Sequence, residues 1–263
     1  LNDEQANIEK EMNRPWHYYL FAAFRFLTIL PFPSTAKMED SDFGKSMAFF
    51  PVVGLVQGLI LLAVYAVFSP VLRGAVVDIL LLLVLVLLAG GLHIDGFCDT
   101  VDGLAGGRDR ENTLRIMKDS SVGSFAVAGI ALLFLLKYAG LSSLTPGYKG
   151  GVILSMPVFS LWSMVLLARL YDYAREEGGT GKAFVDNTSN RELAAASIIT
   201  LIFTILAMGI NALLVFLLIG LVTLLFGEYS RHRLGGVTGD VLGAAKEAND
   251  ALVLVFALIF MPK

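Results

Sequence analysis

The chain has 263 residues, of which 56% are hydrophobic and only 16% charged, with a formal charge of −3. A soluble domain carries about 25% charged residues, so this composition points to an integral membrane protein. The absence of a basic stripe or of aromatic–basic interleaving excludes a nucleic-acid partner, and a single cysteine, Cys98, excludes an intrachain disulfide or a Cys-rich zinc site.

In chain order, Tyr18–Leu30 is apolar with Arg25 inside it and ends at Pro31, which predicts an interfacial or re-entrant helix. Apolar runs of spanning length follow at Phe49–Phe68, Val76–Leu92, Ser124–Leu144 and Gly151–Leu170. The run Leu193–Gly227 is too long for one span. Met208-Gly209-Ile210-Asn211 interrupts it with turn-forming residues, so it reads as two short helices and a tight turn. Ala251–Met261 is too short by itself and spans only if its helix begins near Gly239, carrying Asp240, Lys246 and Glu247 along one side. The expected fold is an all-α integral membrane protein, a polytopic helical bundle of about six or seven transmembrane helices with an N-terminal interfacial helix. Residues 1–263 form a single polytopic membrane domain in this reading.

Alternating the spans puts residues 1–48, 93–123, 171–192 and 228–250 on one face, with 15 of the 20 Lys and Arg. Arg73, Lys149 and Lys263 fall on the other, and Lys137 lies within a span. Such an excess marks the cytoplasmic side. The expected location is the bacterial cytoplasmic (inner) membrane, with every long charged loop facing the cytoplasm.

The chemistry concentrates at one seam between apolar and polar sequence, His93-Ile94-Asp95-Gly96-Phe97-Cys98-Asp99-Thr100-Val101-Asp102. On a helix, Asp95, Asp99 and Asp102 share one face at i, i+4 and i+7. Carboxylates so placed repel one another unless a cation sits among them, and a hard divalent ion such as Mg²⁺ holding phosphate oxygens suits them. Gly103-Leu104-Ala105-Gly106-Gly107-Arg108-Asp109-Arg110 follows. Its glycines let backbone N–H groups approach an anion, and Arg108 and Arg110 suit bidentate phosphate contact. Lys118 extends this polar surface. His93 is a metal ligand, a base or an interfacial hydrogen-bonding group.

A second constellation, Arg231-His232-Arg233-Leu234-Gly235-Gly236-Val237-Thr238-Gly239-Asp240 with Glu247, reaches the same face by alternation. It reads as the second wall of one pocket, with Thr238 a helix N-cap candidate. The loop Arg169–Arg191 is a weaker signal, offering Arg169, Tyr171, Asp172, Arg175 and Lys182 to an anionic or aromatic substrate. Carboxylates for metal, glycines for close approach and arginines for phosphate suggest phosphoryl transfer on a pyrophosphate.

These segments resemble the cobalamin synthase family, the adenosylcobinamide-GDP ribazoletransferases. The resemblance rests on Phe26-Leu27-Thr28-Ile29-Leu30-Pro31 with Phe50-Pro51-Val52-Val53-Gly54; on Gly91 through Gly103; on Gly107-Arg108-Asp109-Arg110 with Met117-Lys118-Asp119-Ser120; and on Gly235 through Ala244. Phe97-Cys98 stands where the family commonly has smaller or aliphatic residues. The resemblance implies that adenosylcobinamide-GDP is joined to α-ribazole or its 5′-phosphate, with release of GMP and with Mg²⁺ as cofactor. It implies Asp95, Asp99, Asp102 and Asp240 as catalytic residues, the first three as metal ligands. His93, Arg108, Arg110, Lys118, Arg233 and Glu247 are then expected at the substrates, with Asp102 or Asp240 accepting the ribose hydroxyl proton. The expected partners are the corrinoid nucleotide, α-ribazole and the lipid bilayer, and assembly as a homo-oligomer stays open.

Two alternatives share some of these features. A CDP-alcohol phosphotransferase-like lipid enzyme uses the same logic, but Asp95-Gly96-Phe97-Cys98-Asp99 lacks the Ala-Arg of its motif. A cation or metabolite transporter predicts acids in mid-span on two matching halves, and the acidic motif is not duplicated.

Overall fold

The computed structural model describes residues 14–33, 38–177 and 180–260. The helices are α1 (Trp16–Leu27), α2 (Asp40–Ser46), α3 (Phe50–Phe68), α4 (Gly74–Leu88), α5 (Leu92–Gly106), α6 (Arg110–Ile116), α7 (Ser124–Ser143), α8 (Pro146–Leu170), α9 (Thr180–Asn187), α10 (Asn190–Met208), α11 (Asn211–Leu234) and α12 (Gly239–Phe260). Among the described residues five helices are long and apolar enough to cross a membrane, Asp40–Phe68 counting as one, and α4 with α5 makes a sixth as a broken pair. The chain is an all-α, multi-pass membrane protein.

α8 is the central post. Its apolar stretch is 89% buried, against 22–44% for the other four long helices. α3 lies against it at backbone distance: a Cβ on Gly58 would stand 2.3 Å from the Leu154 carbonyl oxygen. Small residues at such crossings let helices meet closely where lipid offers no hydrophobic drive to associate. The outward faces remain apolar, with Leu83, Leu87, Ile198, Leu206, Leu217 and Leu225 all exposed, as suits a surface whose solvent is lipid.

The turn expected within Leu193–Gly227 is present. α10 ends at Met208, α11 begins at Asn211, and Gly209 between them has φ +68°. α12 begins at Gly239 as its length required, Thr238 Oγ accepting from the Val241 N–H at 3.2 Å; Met261 lies outside the described residues. The expected interfacial helix is α1, which ends three residues before Leu30.

The span expected over Val76–Leu92 is corrected. α4 stops at Leu88, where Gly90 and Gly91 take φ +60° and +75° and turn the chain by 92°. That left-handed backbone is open to glycine and costly for other residues. Leu92 thus opens α5, which turns aside from the spanning direction. At this end of the bundle α5, α6, the segment 171–177, α9 and the start of α12 come together.

Candidate active site

The site is assembled by a loop pairing. α11 closes on Gly235 in the left-handed region (φ +82°), a common helix ending. The next residues then run beside the segment after α8: Val237 N–H donates to Asp172 O at 2.9 Å and Ala174 N–H to Val237 O at 2.8 Å. Gly236 permits this, because a Cβ there would lie 2.1 Å from the Asp172 carbonyl oxygen. The pairing delivers Arg175, whose guanidinium donates to Asp240 Oδ2 at 2.7 Å.

α5 crosses the start of α12 closely. A Cβ on Gly96 would be 3.0 Å from Asp240 Cα, and one on Gly243 would be 3.3 Å from His93 Cα. Asp95 and Asp99, one turn apart, therefore flank the backbone of Asp240. Burial pushes the Asp99 carboxyl up to about 6, with the Asp240 and Asp95 carboxylates adding to the rise and Arg175 opposing it. Asp99 thus sits in a site short of positive charge.

Other expected site residues have different partners. Asp102 faces the start of α7, where Oδ2 accepts from Gly123 N–H at 2.6 Å and Oδ1 from Ala126 N–H at 2.8 Å. It satisfies open donors of a helix N-terminus, a favourable place for an anion, with each of its oxygens already accepting one backbone hydrogen bond. Arg110 donates to Leu234 O and Ala174 O, both at 2.7 Å, tying α6 to α11 and to the 171–177 segment. Arg233 donates to Gly107 O at 2.9 Å and caps the carbonyl end of α5. Lys118 is ion-paired with Glu177 at the surface. Arg108 is exposed and makes no hydrogen bond or ion pair among the described residues.

Glu247 lies apart from Asp240, at the heart of a buried ionic set. It accepts from Lys137 of α7 and from Lys246 at 2.9 Å. Asp250 accepts from the same two ammonium groups, at 3.1 and 2.9 Å. All four side chains are essentially inaccessible. His93 is also buried, and its Nε2 has no hydrogen-bond partner.

Two cavities lie at this end of the bundle. One, of about 250 Å³, has a wall of Phe26, Met47, Phe50, Met164 and Phe184 and also touches His93, Asp95 and Asp240. The other is an open groove of about 720 Å³ lined by charges of both signs, Arg110, Arg115, Lys118 and Arg175 with Glu111, Glu176 and Glu177. Arg175 therefore stands on the groove while its guanidinium holds a carboxylate of the chamber. Sequence reading ranked Arg175 low and did not see the aromatic chamber. The Gly235-Gly236 pair facing the 171–192 loop was the one local hint.

Among the described residues no three His, Cys, Asp or Glu side chains form a ready-made metal cluster. Mg²⁺ does not require one, since it keeps several waters and takes one or two carboxylates plus substrate phosphate oxygens. Asp95 and Asp99 fit that demand: oxygen donors one helical turn apart, with the Asp99 carboxyl raised by burial and by the neighbouring carboxylates.

Comparison with known proteins agrees with this arrangement. The family model for cobalamin-5-phosphate synthase matches residues 19–258. Proteins named adenosylcobinamide-GDP ribazoletransferase are similar across nearly their whole length. That of Geotalea daltonii is 36% identical over 235 residues, 89% of this chain and 94% of the relative. That of Clostridium acetobutylicum is 33% identical over 244 residues, covering 92% and 96%, and that of Chlorobium phaeobacteroides 40% identical over 253 residues, covering 90% and 95%. No solved structure matches the chain. With its family model covering most of its length and relatives well above 30% identity, the chain belongs to the cobalamin-5-phosphate synthase family.

Proposed function

We propose that this protein transfers the phosphocobinamide part of adenosylcobinamide-GDP to α-ribazole or its 5′-phosphate, giving adenosylcobalamin or its phosphate and GMP. The observation that carries the reading is the meeting of Asp95 and Asp99 of α5 with Asp240 of α12, at the polar end of an aromatic chamber and linked through Arg175 to an open charged groove, in a chain of this family. The ribose hydroxyl oxygen of the ribazole attacks the phosphorus on the cobinamide side of the pyrophosphate. The P–O bond to GMP breaks, and its electron pair leaves on the GMP phosphate. Asp240, held by Arg175, accepts the hydroxyl proton. Asp95 and Asp99 would hold Mg²⁺, which when bound would supply charge neutralisation for the pyrophosphate. Arg115, Lys118 and Arg175 draw the nucleotide end into the groove. The Lys and Arg excess on this face supports placing the site on the cytoplasmic side of the inner membrane.

The test is GMP release by detergent-purified protein given adenosylcobinamide-GDP and α-ribazole, with and without Mg²⁺. Release that needs both substrates and the metal, with a cobalamin product, is expected. Folded protein that releases no GMP under these conditions overturns the assignment.

A further inference from the structure

The chamber between α1, α3, α5, α8, α9 and α12 has a shape and chemistry that the transfer step does not by itself require. Phe50 and Phe184 are buried with ring centroids 5.6 Å apart, and the Phe26 ring lies tilted with its centroid 4.5 Å from that of Phe184. Met47 and Met164, soft side chains that fit themselves to flat rings, complete the apolar wall. Into this setting the chain places His93, 2% exposed, with Nε2 lacking any partner. A buried polar nitrogen left unpaired is costly and calls for a group to satisfy it. The chamber reaches Asp95 and Asp240 at its polar end.

We propose that this chamber seats the aromatic base of α-ribazole, with His93 Nε2 donating a hydrogen bond to the unsubstituted ring nitrogen of that base. The inference rests on the assigned reaction and names the part of its acceptor substrate that fixes specificity. Three considerations favour the base over other parts of the two substrates. A cavity of about 250 Å³ lies below the roughly 300–1,000 Å³ of drug-sized sites, so it suits one bicyclic ring and not a corrinoid. Guanine would bury several donors and acceptors, whereas a benzimidazole joined to ribose through one nitrogen presents a single acceptor, the other nitrogen, to the single unpartnered imidazole. With the base inside, the attached ribose falls at the polar end, where Asp240 can take the proton of its hydroxyl. A site built to hydrogen-bond one ring atom discriminates strongly against an analogue lacking it.

The test compares the wild type with His93→Phe, His93→Gln and Met164→Ala, purified in detergent and checked by thermal melting. Acceptors are α-ribazole and a phenol riboside of similar size without the ring nitrogen, and α-ribazole binding alone is followed by calorimetry. His93→Phe is expected to raise the KM for α-ribazole about tenfold, to leave the KM for adenosylcobinamide-GDP unchanged, and to erase the preference over the phenol riboside. His93→Gln, which keeps a donor, should restore part of that preference, and Met164→Ala should admit a wider, naphthalene-fused base. An unchanged selectivity ratio in folded His93→Phe, or an effect on the corrinoid KM alone, overturns the proposal. Absence of GMP release by the wild type overturns the reaction instead; the calorimetric arm still decides the chamber, since α-ribazole binding unaltered by both His93→Phe and Met164→Ala sinks it.

Discussion

The first turn of α12 sets Asp240 beside Asp95 and Asp99 of α5, with one guanidinium, Arg175, on Asp240. Two turns further on, Lys246, Glu247 and Asp250 meet Lys137 in a set of two cations and two anions with no access to water. The same helix thus carries a cluster left in charge deficit at its mouth and a neutral one in its depth. Deficit at a water-reachable cleft is tolerable and useful, because an arriving cation or phosphate-bound metal completes it. Deeper, an unpaired charge would cost several kcal/mol, so each is matched. The difference separates groups arranged for chemistry from groups arranged to hold helices together, although both are clusters of acidic residues on paper.

The comparison can be broken at the mouth first. Asp99→Asn should cut Mg²⁺-dependent GMP release by about 1,000-fold, the several kcal/mol a metal supplies to a phosphoryl transition state. It should leave the melting temperature in detergent equal or higher, since a crowded carboxylate has been removed. A variant that keeps full turnover would remove Asp99 from the metal site.

In the depth the signs reverse. Lys137→Met should lower unfolding stability by about 3–5 kcal/mol, because Glu247 and Asp250 then outnumber Lys246 in a buried place. Adding Glu247→Gln should recover roughly half of that loss by restoring neutrality. Unfolding in mixed micelles measures both, and a double variant no better than the single one would show that packing, not charge balance, sets the cost.

The smallest effect is a pH dependence that sharpens the contrast. Burial and the neighbouring carboxylates push the Asp99 carboxyl up to about 6, above an unfolded value of about 3.9. Below pH 6 a proton competes with Mg²⁺, so the apparent metal affinity should fall by up to about tenfold per unit of pH. Stability moves the other way: a carboxyl with a raised folded pKa disfavours the fold above pH 6, and that penalty is relieved as pH drops from 6 towards 4. Metal titrations of activity at pH 5 and 7, set beside melting curves at the same pH values, would show the opposed trends. A flat metal affinity between the two would speak against Asp99 as a ligand.

Much of this was legible in the sequence because it is local. Apolar length marked the spans, Met208–Asn211 marked the turn between α10 and α11, and the i, i+4 spacing put Asp95 and Asp99 on one face. The rest depends on partners far along the chain. Nothing near Arg110 or Arg233 says that each will serve carbonyl groups more than 120 residues away. Nothing near Asp102 says that its oxygens will accept from the start of α7. Arg175 reaches Asp240 only because Gly236 lets two loops run side by side. The α4–α5 bend escaped notice because hydropathy runs on through Leu88 to Leu92 while the backbone does not.

The pairing of Lys137 with Glu247 spans 110 residues of sequence, and this has a consequence for biogenesis. Synthesis at about 5–20 residues per second leaves roughly 5–20 s between the two helices. A chain inserted in the order of its synthesis therefore commits an ammonium group to the bilayer, at a cost of about 2.5–3.5 kcal/mol near mid-depth, long before its counter-charges exist. α12 arrives last and acts as a keystone: until it docks, α7 holds an unanswered charge, and a chain cut before Glu247 would keep it.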